Sequence, residues 1–240
     1  ASTLRFWEEK GLFHISKGEN SYRVYTTTDL IQIADIIFYR NLGIPIRQVS
    51  DFLSVSLENY EQYLLEIQQQ LTNTIHEYEH MYQRTYRQQE RYQTLLRLLK
   101  KPFSLEEVPF SHLVAWDFWE KEKLNCYIDN PARYVWYRDT SANIPGQKGL
   151  IQTEPPEESP QLLWRRTEGA RFVTFPIRAM IDEGYEGLEA EEIVEKLQQH
   201  YHTGIFLAQH LLTCKENGCN VEYLKGYLEL REPVCSLADS

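Results

Sequence analysis

Apolar residues recur every seven positions between residues 57 and 101, and no glycine or proline interrupts this stretch. Two interleaved series carry the pattern: Leu57, Leu64, Leu71, Tyr78, Thr85, Tyr92 and Leu99, and, three places after the first six of these, Tyr60, Ile67, Thr74, Met81, Gln88 and Leu95. A repeat sustained over about six heptads is typical of the a and d positions of a coiled coil. It predicts one helix roughly 65 Å long, at about 1.5 Å per residue.

The apolar stripe of this helix is narrow, whereas a helix that packs within a bundle usually shows a broader apolar face. A long helix in a monomeric bundle is the alternative interpretation. We expect instead that the same helix of a second chain covers the stripe, so that the protein is a homodimer. Polar residues at three a and d positions, Thr74, Thr85 and Gln88, are expected to fix the register of the pair.

Short helices and a turn-rich segment precede the coiled coil. Leu4 and Trp7 indicate a first helix, and Gly11 is well placed to end it in the left-handed cap position. A turn-rich stretch over residues 16–21 follows. The alternation in residues 22–25 then predicts a short strand or wing.

A capping box formed by Thr26 and Asp29 predicts the start of a second helix. Its apolar residues are expected to share one face: Leu30, Ile33, Ala34, Ile37 and Phe38. Pro45 suits the first position of a third helix. That helix is expected to bury Ile46, Val49, Phe52 and Leu53. These elements form a predicted N-terminal domain over residues 1–55, ahead of the coiled coil at 56–101.

Prolines at positions 102 and 109 separate the coiled coil from a predicted C-terminal domain over residues 102–240. Apolar and polar residues alternate in six candidate strands, at 112–118, 133–138, 149–153, 171–177, 206–213 and 223–231. Helices are predicted at 188–202 and near 120–128, a hairpin turn at 215–218 and an exposed loop at 139–161. This order predicts an α+β domain built from two βαββ units.

The charge of the chain is unevenly distributed. Its 240 residues are 42% hydrophobic and 13% aromatic, enough to form packed cores, and the net charge of −10 argues by itself against binding to nucleic acid. Residues 1–55 and residues 56–101 each carry six basic and six acidic side chains. The whole acidic excess therefore lies in residues 102–240, which form a separate unit and a poor surface for DNA.

Three spaced motifs in the first 55 residues carry a family resemblance. They are Thr3-Leu4-Arg5-Phe6-Trp7-Glu8-x-x-Gly11-Leu12, Tyr22-Arg23-x-Tyr25-x-x-x-Asp29-Leu30 and Arg40-x-Leu42-Gly43-Ile44-Pro45-Ile46. Their order resembles the DNA-binding domain of MerR-family transcription regulators, and the long helix stands where that family has its coiled coil. The resemblance implies a helix-turn-helix, a wing, two further helices and an antiparallel coiled coil that pairs two subunits. By this resemblance, the family motif would have an earlier first helix, which the sequence from Ala1 onward does not include.

The resemblance also implies a mode of DNA binding. Residues 3–9 would be the recognition helix in the major groove, with side chains facing bases or phosphates, and the wing would grip the backbone. The residues expected to bind DNA are Thr3, Arg5, Phe6, Trp7, Lys17, Tyr22, Arg23, Tyr25 and Arg40. Phe6-Trp7 stands where the family more commonly has a tyrosine pair. Structural alternatives are that Phe6 or Trp7 packs in the core and that Arg23 pairs with Glu19 or Asp29.

Members of that family act on promoters whose −35 and −10 elements lie too far apart. The dimer bends and untwists this DNA, at a deformation energy on the order of 1–6 kcal/mol, so that RNA polymerase can use it. The expected partners are therefore promoter DNA, RNA polymerase and a second copy of the chain.

The βαββ repeat is similar to the GyrI-like effector-binding domain that many MerR-family drug sensors carry. That resemblance implies a groove that binds lipophilic, often cationic, compounds between aromatic rings and a buried carboxylate. The residues expected to bind ligand are Trp116, Phe118, Tyr134, Trp136, Phe172, Phe206, Tyr227 and Glu229. Gln209 or His210 stands where the acid is expected, and Asp117 is a further substitute for it. Each aromatic residue, taken singly, is more typical of a core.

Other chemistry is weakly represented in the sequence. Cys214 and Cys219 flank the predicted hairpin turn, where they could face one another, but only His210 is near enough to add a third metal ligand. We therefore expect no metal site and no cofactor. The sequence contains no Ser/His/Asp triad, glycine-rich phosphate loop or paired-carboxylate motif, so we expect no enzyme. The alternative is a GyrI-like protein that sequesters or hydrolyses a small molecule and keeps a vestigial DNA-binding arm.

The sequence contains neither a signal peptide nor an apolar run long enough to span a membrane. Its four cysteines lack the spacing of a disulfide framework, which is typical of a reducing compartment. We expect a cytoplasmic, ligand-responsive transcription regulator that senses a small lipophilic effector.

Overall fold

A computed structural model of the chain describes residues 2–16, 23–117, 119–142, 145–152, 161–181 and 189–234. The chain divides into two compact units, Ala1–Met81 and Tyr82–Ser240, and the division falls inside one continuous helix. Helices dominate the first unit, and an antiparallel sheet dominates the second, so the predicted α+β class is confirmed.

The N-terminal unit contains three short helices and the first part of a long one: α1 (Ser2–Glu9), α2 (Thr27–Asn41), α3 (Ile46–Leu53) and α4 (Leu57–Lys100). The capping box at the start of α2 is confirmed. The Thr26 hydroxyl accepts a hydrogen bond from the Asp29 N–H (3.2 Å), and the Asp29 carboxylate accepts one from the Thr26 N–H (2.7 Å). Gly11 and Gly43 follow α1 and α2 with φ of 73° and 88°, a conformation that other residues adopt only with strain.

The side of α2 that packs into the core of this unit differs from the side predicted from the sequence. Ile36 is fully buried and Ile33 half-buried, whereas Leu30, Ile37 and Phe38 are exposed. Helix α2 is apolar on two sides, so its periodicity does not say which side meets the core. In α3, Val49 and Phe52 are buried as predicted, but the prediction for Leu53 was wrong.

Helix α4 has 44 residues, in agreement with the predicted rod. Its first turns pack on the N-terminal core through Tyr60 and Tyr63, whose rings lie 5.3 Å and 5.1 Å from that of Phe52. In the middle of the helix, a and d residues of the heptad repeat are exposed to solvent within a single chain. Tyr78 is 66% exposed and Met81 is 56% exposed.

The C-terminal unit is built on an eight-stranded sheet with the order β1-β6-β8-β7-β3-β4-β2-β5, and every neighbouring pair is antiparallel. The strands of the described residues are β1 (Ser104–Glu106), β2 (His112–Ala115), β3 (Tyr134–Asp139), β4 (Gln147–Ile151), β5 (Leu162–Arg165), β6 (Arg171–Met180), β7 (Tyr201–Glu216) and β8 (Cys219–Pro233). Two helices accompany the sheet: α5 (Lys121–Asp129) and α6 (Glu189–Gln198).

The predicted pair of βαββ units is confirmed. β2-α5-β3-β4 forms three sheet strands in the order β2-β4-β3, and β6-α6-β7-β8 repeats this as β6-β8-β7. The halves join through β3 and β7, and the unpredicted strands β1 and β5 occupy the two edges. The predicted helix over 188–202 ends at Gln198 instead, because β7 begins at Tyr201 and runs 16 residues to the turn at Asn217 and Gly218.

Alternate strand residues build two cores on the two faces of the sheet. On one face, Phe175, Ile177 and Phe206 pack with Ala190 and Val194 of α6. The opposite face carries Leu113, Val135, Phe172, Leu207 and Tyr227, which pack with Val108 and Phe110 from the segment between β1 and β2. The end of α4 joins this unit, where Leu95 and Leu98 pack with Leu211 of β7.

Candidate nucleic-acid interface and ligand cleft

Helix α1 presents a polar and aromatic surface. Thr3, Arg5 and Phe6 are exposed, whereas Trp7 is half-buried and packs with Leu4 against the N-terminal core. Arg5 has no carboxylate partner among the residues that the structure describes. It is therefore free to contact a phosphate or a base edge, while the indole of Trp7 mainly holds the helix in place.

Arg23 pairs with Glu8 of α1 and not with Asp29, whereas Glu19, the other partner considered from the sequence, lies outside the described residues. Its guanidinium lies 2.5 Å from the carboxylate of Glu8, and about a quarter of each side chain remains exposed. The hydrogen bond from Arg23 lowers the pKa of Glu8, so this carboxylate stays ionised. The ion pair ties Arg23, which belongs to the predicted wing, to α1, the predicted recognition helix, and partly neutralises the charge of Arg23.

The remaining predicted DNA contacts lie on other segments. Tyr25 and Arg40 are exposed, and Arg40 has no acidic partner within the described part of the chain. Lys17 and Tyr22 lie outside the described residues. Lys10, which the motif did not single out, places its Nζ 5.6 Å from the ring centre of exposed Phe6.

The sheet separates the aromatic residues that were expected to bind ligand. Trp116 and Tyr134 pack together on the side of α5, with ring centres 5.5 Å apart. Trp136 and Phe206 pack against the core beneath α6, with ring centres 5.7 Å apart. Phe172 and Tyr227 belong to the opposite face, and Phe118 lies outside the described residues. The described members therefore form core contacts in three places and not one continuous groove.

The carboxylates named from the sequence are engaged within the fold. Glu229 accepts hydrogen bonds from the Ile205 N–H and from Arg231. Asp117 is exposed and accepts one from the Trp119 N–H. No sequence pattern singles out Glu222, the most buried acid of the described residues, whose carboxylate lies 2.6 Å from Nδ1 of His210.

A cavity of about 330 Å³ lies between the last part of α4 and the face of the sheet that carries Tyr227. Tyr227, Lys225 and Gln209 contribute to its sheet side, and Arg87 and Arg91 contribute from α4. Of the predicted ligand residues that the structure describes, Tyr227 alone lines it. The basic residues of α4 are visible in the sequence and could have indicated a binding surface there. The heptad pattern, however, predicts only the role of this helix in dimerisation.

The sheet side of this cleft is held by paired polar groups. Lys225 Nζ lies 2.5 Å from the Glu106 carboxylate and 4.9 Å from the ring centre of Tyr227. The Tyr227 hydroxyl donates a hydrogen bond to Gln209 Oε1 at 3.4 Å. Burial raises the pKa of Tyr227, so its hydroxyl remains a neutral donor.

On the helix side of the cleft, Glu90 is the one acid among the described lining residues. Arg91 donates hydrogen bonds to the amide oxygens of Asn130 and Gln88. Burial lowers the pKa of Arg91, and the charge of nearby Arg87 lowers it further. The two guanidinium groups therefore repel one another in a partly desolvated site.

The cysteine pair does not form a cross-strand site. In the β7–β8 register, Cys214 lies opposite Val221 and Cys219 opposite Glu216, so the cysteines do not take the facing positions that the sequence left possible. Both are free thiols. The described residues contain no group of three metal-binding side chains, and no helix among them is long and apolar enough to cross a membrane.

Comparison with known proteins gives one family match. Residues 1–55 match the model described as MerR HTH family regulatory protein. The whole chain is similar to a chain in the cryo-EM structure of an EcmrR–DNA complex in EcmrR-RPo, with 15% identity, coverage of 96% of this chain and 95% of that chain, and a TM-score of 0.33. No curated protein matches the chain. The family model stops before α4, so the GyrI-like resemblance of the C-terminal unit stays a prediction.

Proposed function

We propose that the protein is a homodimeric, ligand-responsive regulator of transcription, because residues 1–55 match the family model described as MerR HTH family regulatory protein. The family match is the observation that carries this proposal. Exposed cations in the same domain, Arg5 and Arg40, support it, since contacts to phosphate supply most of the affinity of such proteins for DNA. Thr3 and Arg5 on α1 are the side chains proposed to read base edges.

The exposed stripe of α4 supports the homodimer. Tyr78, Met81 and Tyr92 stand at a and d positions and are between 49% and 66% exposed within a single chain. Burying apolar surface stabilises an assembly by about 25 cal/mol per Å². A second copy of α4, running antiparallel, is the partner that the heptad repeat favours.

In this proposal the dimer binds two half-sites in promoter DNA and deforms the segment between them. The deformation energy, on the order of 1–6 kcal/mol, is what an effector can shift. RNA polymerase is the proposed partner at the distorted promoter. No catalytic step is required of the protein, which acts by changing the shape of DNA.

We place the effector in the cleft beside α4. A ligand changes the equilibrium between two arrangements only when it binds one of them more tightly. A ligand in this cleft would contact α4, which is the helix that continues into the N-terminal unit. Binding would therefore act directly on the helix that connects the two units. The lipophilic character expected of the effector agrees with Tyr227 and Leu211 in the lining.

Fluorescence anisotropy with the full-length protein tests the regulator. A labelled duplex from the region upstream of its own gene is compared with a scrambled duplex of equal length and composition, at 50, 100 and 200 mM salt. We expect binding to the native duplex to be at least about 10³ times tighter than to the scrambled one. Equal affinities at every salt concentration would refute the regulator and favour a protein that sequesters or hydrolyses a small molecule.

A further inference from the structure

The second half of α4 differs in charge from the rest of the C-terminal unit. Residues 82–101 contain six basic side chains and only one acid, Glu90, although the domain after them carries the acidic excess of the chain. Three of the arginines, Arg87, Arg91 and Arg97, line the cleft. A coiled-coil surface alone does not require this concentration of one sign, because a and d positions are apolar.

The charges that meet at the cleft do not cancel. Lys225 reaches the lining from the sheet and already pairs with Glu106. Among the described residues that line the cleft, Glu90 is the only carboxylate. Asp129 lies outside the lining, close to Arg87, and already pairs with Arg84. The four lining cations therefore face Glu90 and the shared charges of Glu106 and Asp129, which leaves a positive excess.

Arg91 has no carboxylate partner among the described residues. It is partly buried, and its hydrogen-bond partners, Asn130 and Gln88, are neutral amides. Arg87 lies close enough to lower the pKa of Arg91 through charge repulsion, after the larger effect of burial. Placing like charges together out of water is unfavourable unless an anion joins them.

We propose that this cleft binds a small amphipathic anion, with its oxyacid group held by Arg87 and Arg91 and its apolar body packed against Tyr227 and Leu211. The proposal rests on the proposed function and names the chemical class of the effector. Guanidinium groups bind carboxylates and phosphates through paired hydrogen bonds. The lipophilic cation expected from the GyrI-like resemblance would instead be repelled by the same side chains.

Binding of the anion would also change a contact within the unit. Arg91 now donates to Asn130, which lies at the end of α5. An oxyacid competes with this amide oxygen, because hydrogen bonds between charged groups are the stronger ones. The ligand thereby links the occupancy of the cleft to the position of α4 relative to α5 inside the C-terminal unit.

Three probes that share a naphthalene ring and carry an anionic, a neutral or a cationic substituent test the class of ligand. They are 2-naphthoate, the neutral 2-naphthamide and the cationic 2-naphthylmethylammonium ion, each titrated calorimetrically into the full-length protein. We expect naphthoate to bind at least about tenfold more tightly than the ammonium ion, with the amide between them. Equal or tighter binding of the ammonium ion, or no binding of any probe, would overturn the proposal.

Arginine variants then locate the site. Arg91→Gln is expected to weaken naphthoate binding about tenfold or more while leaving the amide within about twofold. Arg91→Lys, which keeps the charge and loses the planar fork, is expected to lie between that variant and the wild type. Arg84→Gln is the matched control, because Arg84 is on the same helix, pairs with Asp129 and does not line the cleft.

The same samples separate this inference from the regulator itself. Each variant is assayed for binding to the promoter duplex, which also shows that it is folded. If Arg91→Gln retains DNA binding and binds naphthoate as tightly as the wild type does, the anion site is refuted and the proposed function is not. Loss of specific DNA binding in the wild type would refute the proposed function, whatever the probes do.

Discussion

The carboxylate of Glu229 accepts a hydrogen bond of 3.0 Å from the backbone N–H of Ile205 on the neighbouring strand. The pairing of β7 with β8 shifts register between Thr203 and Phe206, so this N–H lies within the irregular part of the ladder. Glu229 is 16% exposed and also accepts a hydrogen bond from Arg231. Glu229, which the sequence predicts to be a ligand-binding carboxylate, therefore satisfies a backbone N–H of the sheet.

Glu229→Ala is predicted to destabilise the protein by about 1–3 kcal/mol, because it leaves the Ile205 N–H of a half-buried strand without its acceptor. Urea unfolding monitored by circular dichroism measures the loss. Glu229→Gln, which keeps an acceptor oxygen, should recover much of it. Binding of 2-naphthoate should change in neither variant, since Glu229 does not line the cleft. A selective loss of ligand affinity with normal stability would show that Glu229 belongs to the binding site after all.

Gly226→Ala is predicted to cost about 1–3 kcal/mol of stability, as overpacking of a core usually does. A Cβ at this position would lie 2.7 Å from Cε2 of Phe175 and 2.9 Å from Cδ1 of Ile177. Both neighbours are fully buried and have little room to move. The midpoint of chemical unfolding checks this, with Asn220→Ala on the exposed part of the same strand as control. A variant as stable as that control would contradict the close packing at Gly226.

Arg5→Ala is predicted to weaken promoter binding and to reduce the slope of log K against log salt by about 0.9, if Arg5 contacts one phosphate. A base contact would instead remove the preference for the native duplex while changing the slope less. Anisotropy titrations at several salt concentrations distinguish the two. Lys215→Ala removes the same charge from the β7–β8 hairpin in the C-terminal unit and should leave both quantities unchanged. No effect of Arg5→Ala on affinity, slope or sequence preference would exclude it from the interface.

Tyr78→Asp is predicted to dissociate the proposed homodimer at micromolar concentration, because it places a charge in the apolar seam of α4. Sedimentation velocity measures the assembly state. Gln83→Asp adds the same charge on the same helix at a heptad position outside the seam, and it should remain dimeric. A wild-type protein that sediments as a monomer, or equal behaviour of the two variants, would refute the coiled-coil dimer.

Acid is predicted to remove a stabilising contribution of Glu106. Burial would raise the pKa of this carboxyl, but hydrogen bonds from Lys225 and Ser104 outweigh it and hold the pKa below the ordinary 4.5. Because the pKa is lower in the folded state, the contribution is complete above pH 4.5 and is lost as the pH falls through the folded-state value. It should be below about 1 kcal/mol, since the side chain is 41% exposed.

Urea unfolding between pH 7 and pH 3 measures this contribution. The difference in unfolding free energy between the wild type and Glu106→Gln should shrink toward zero over the acid range. A difference that stays constant with pH would mean that Glu106 does not titrate differently in the folded and unfolded chains.

Local pattern was enough for much of the architecture. Seven-residue periodicity predicted α4 almost to its last residue, and Thr26 with Asp29 marked the start of α2. The order of strands and helices predicted two βαββ units, and the spaced motifs before residue 55 indicated the MerR domain. Each of these features depends on residues that are close in sequence, so a single chain displays them directly.

Only the tertiary structure shows which of those elements pack against one another. The pairing of β3 with β7 joins the two repeats and sends Tyr134 and Trp136 to a different face from Tyr227. A strand pattern shows that residues alternate, but not which distant strand or helix covers each face. The cleft lined by Arg91 and Tyr227 joins parts of the chain more than a hundred residues apart. The sequence by itself therefore determined the elements and the match of residues 1–55 to the MerR family model, whereas only packing between distant segments set the location and charge of the cleft.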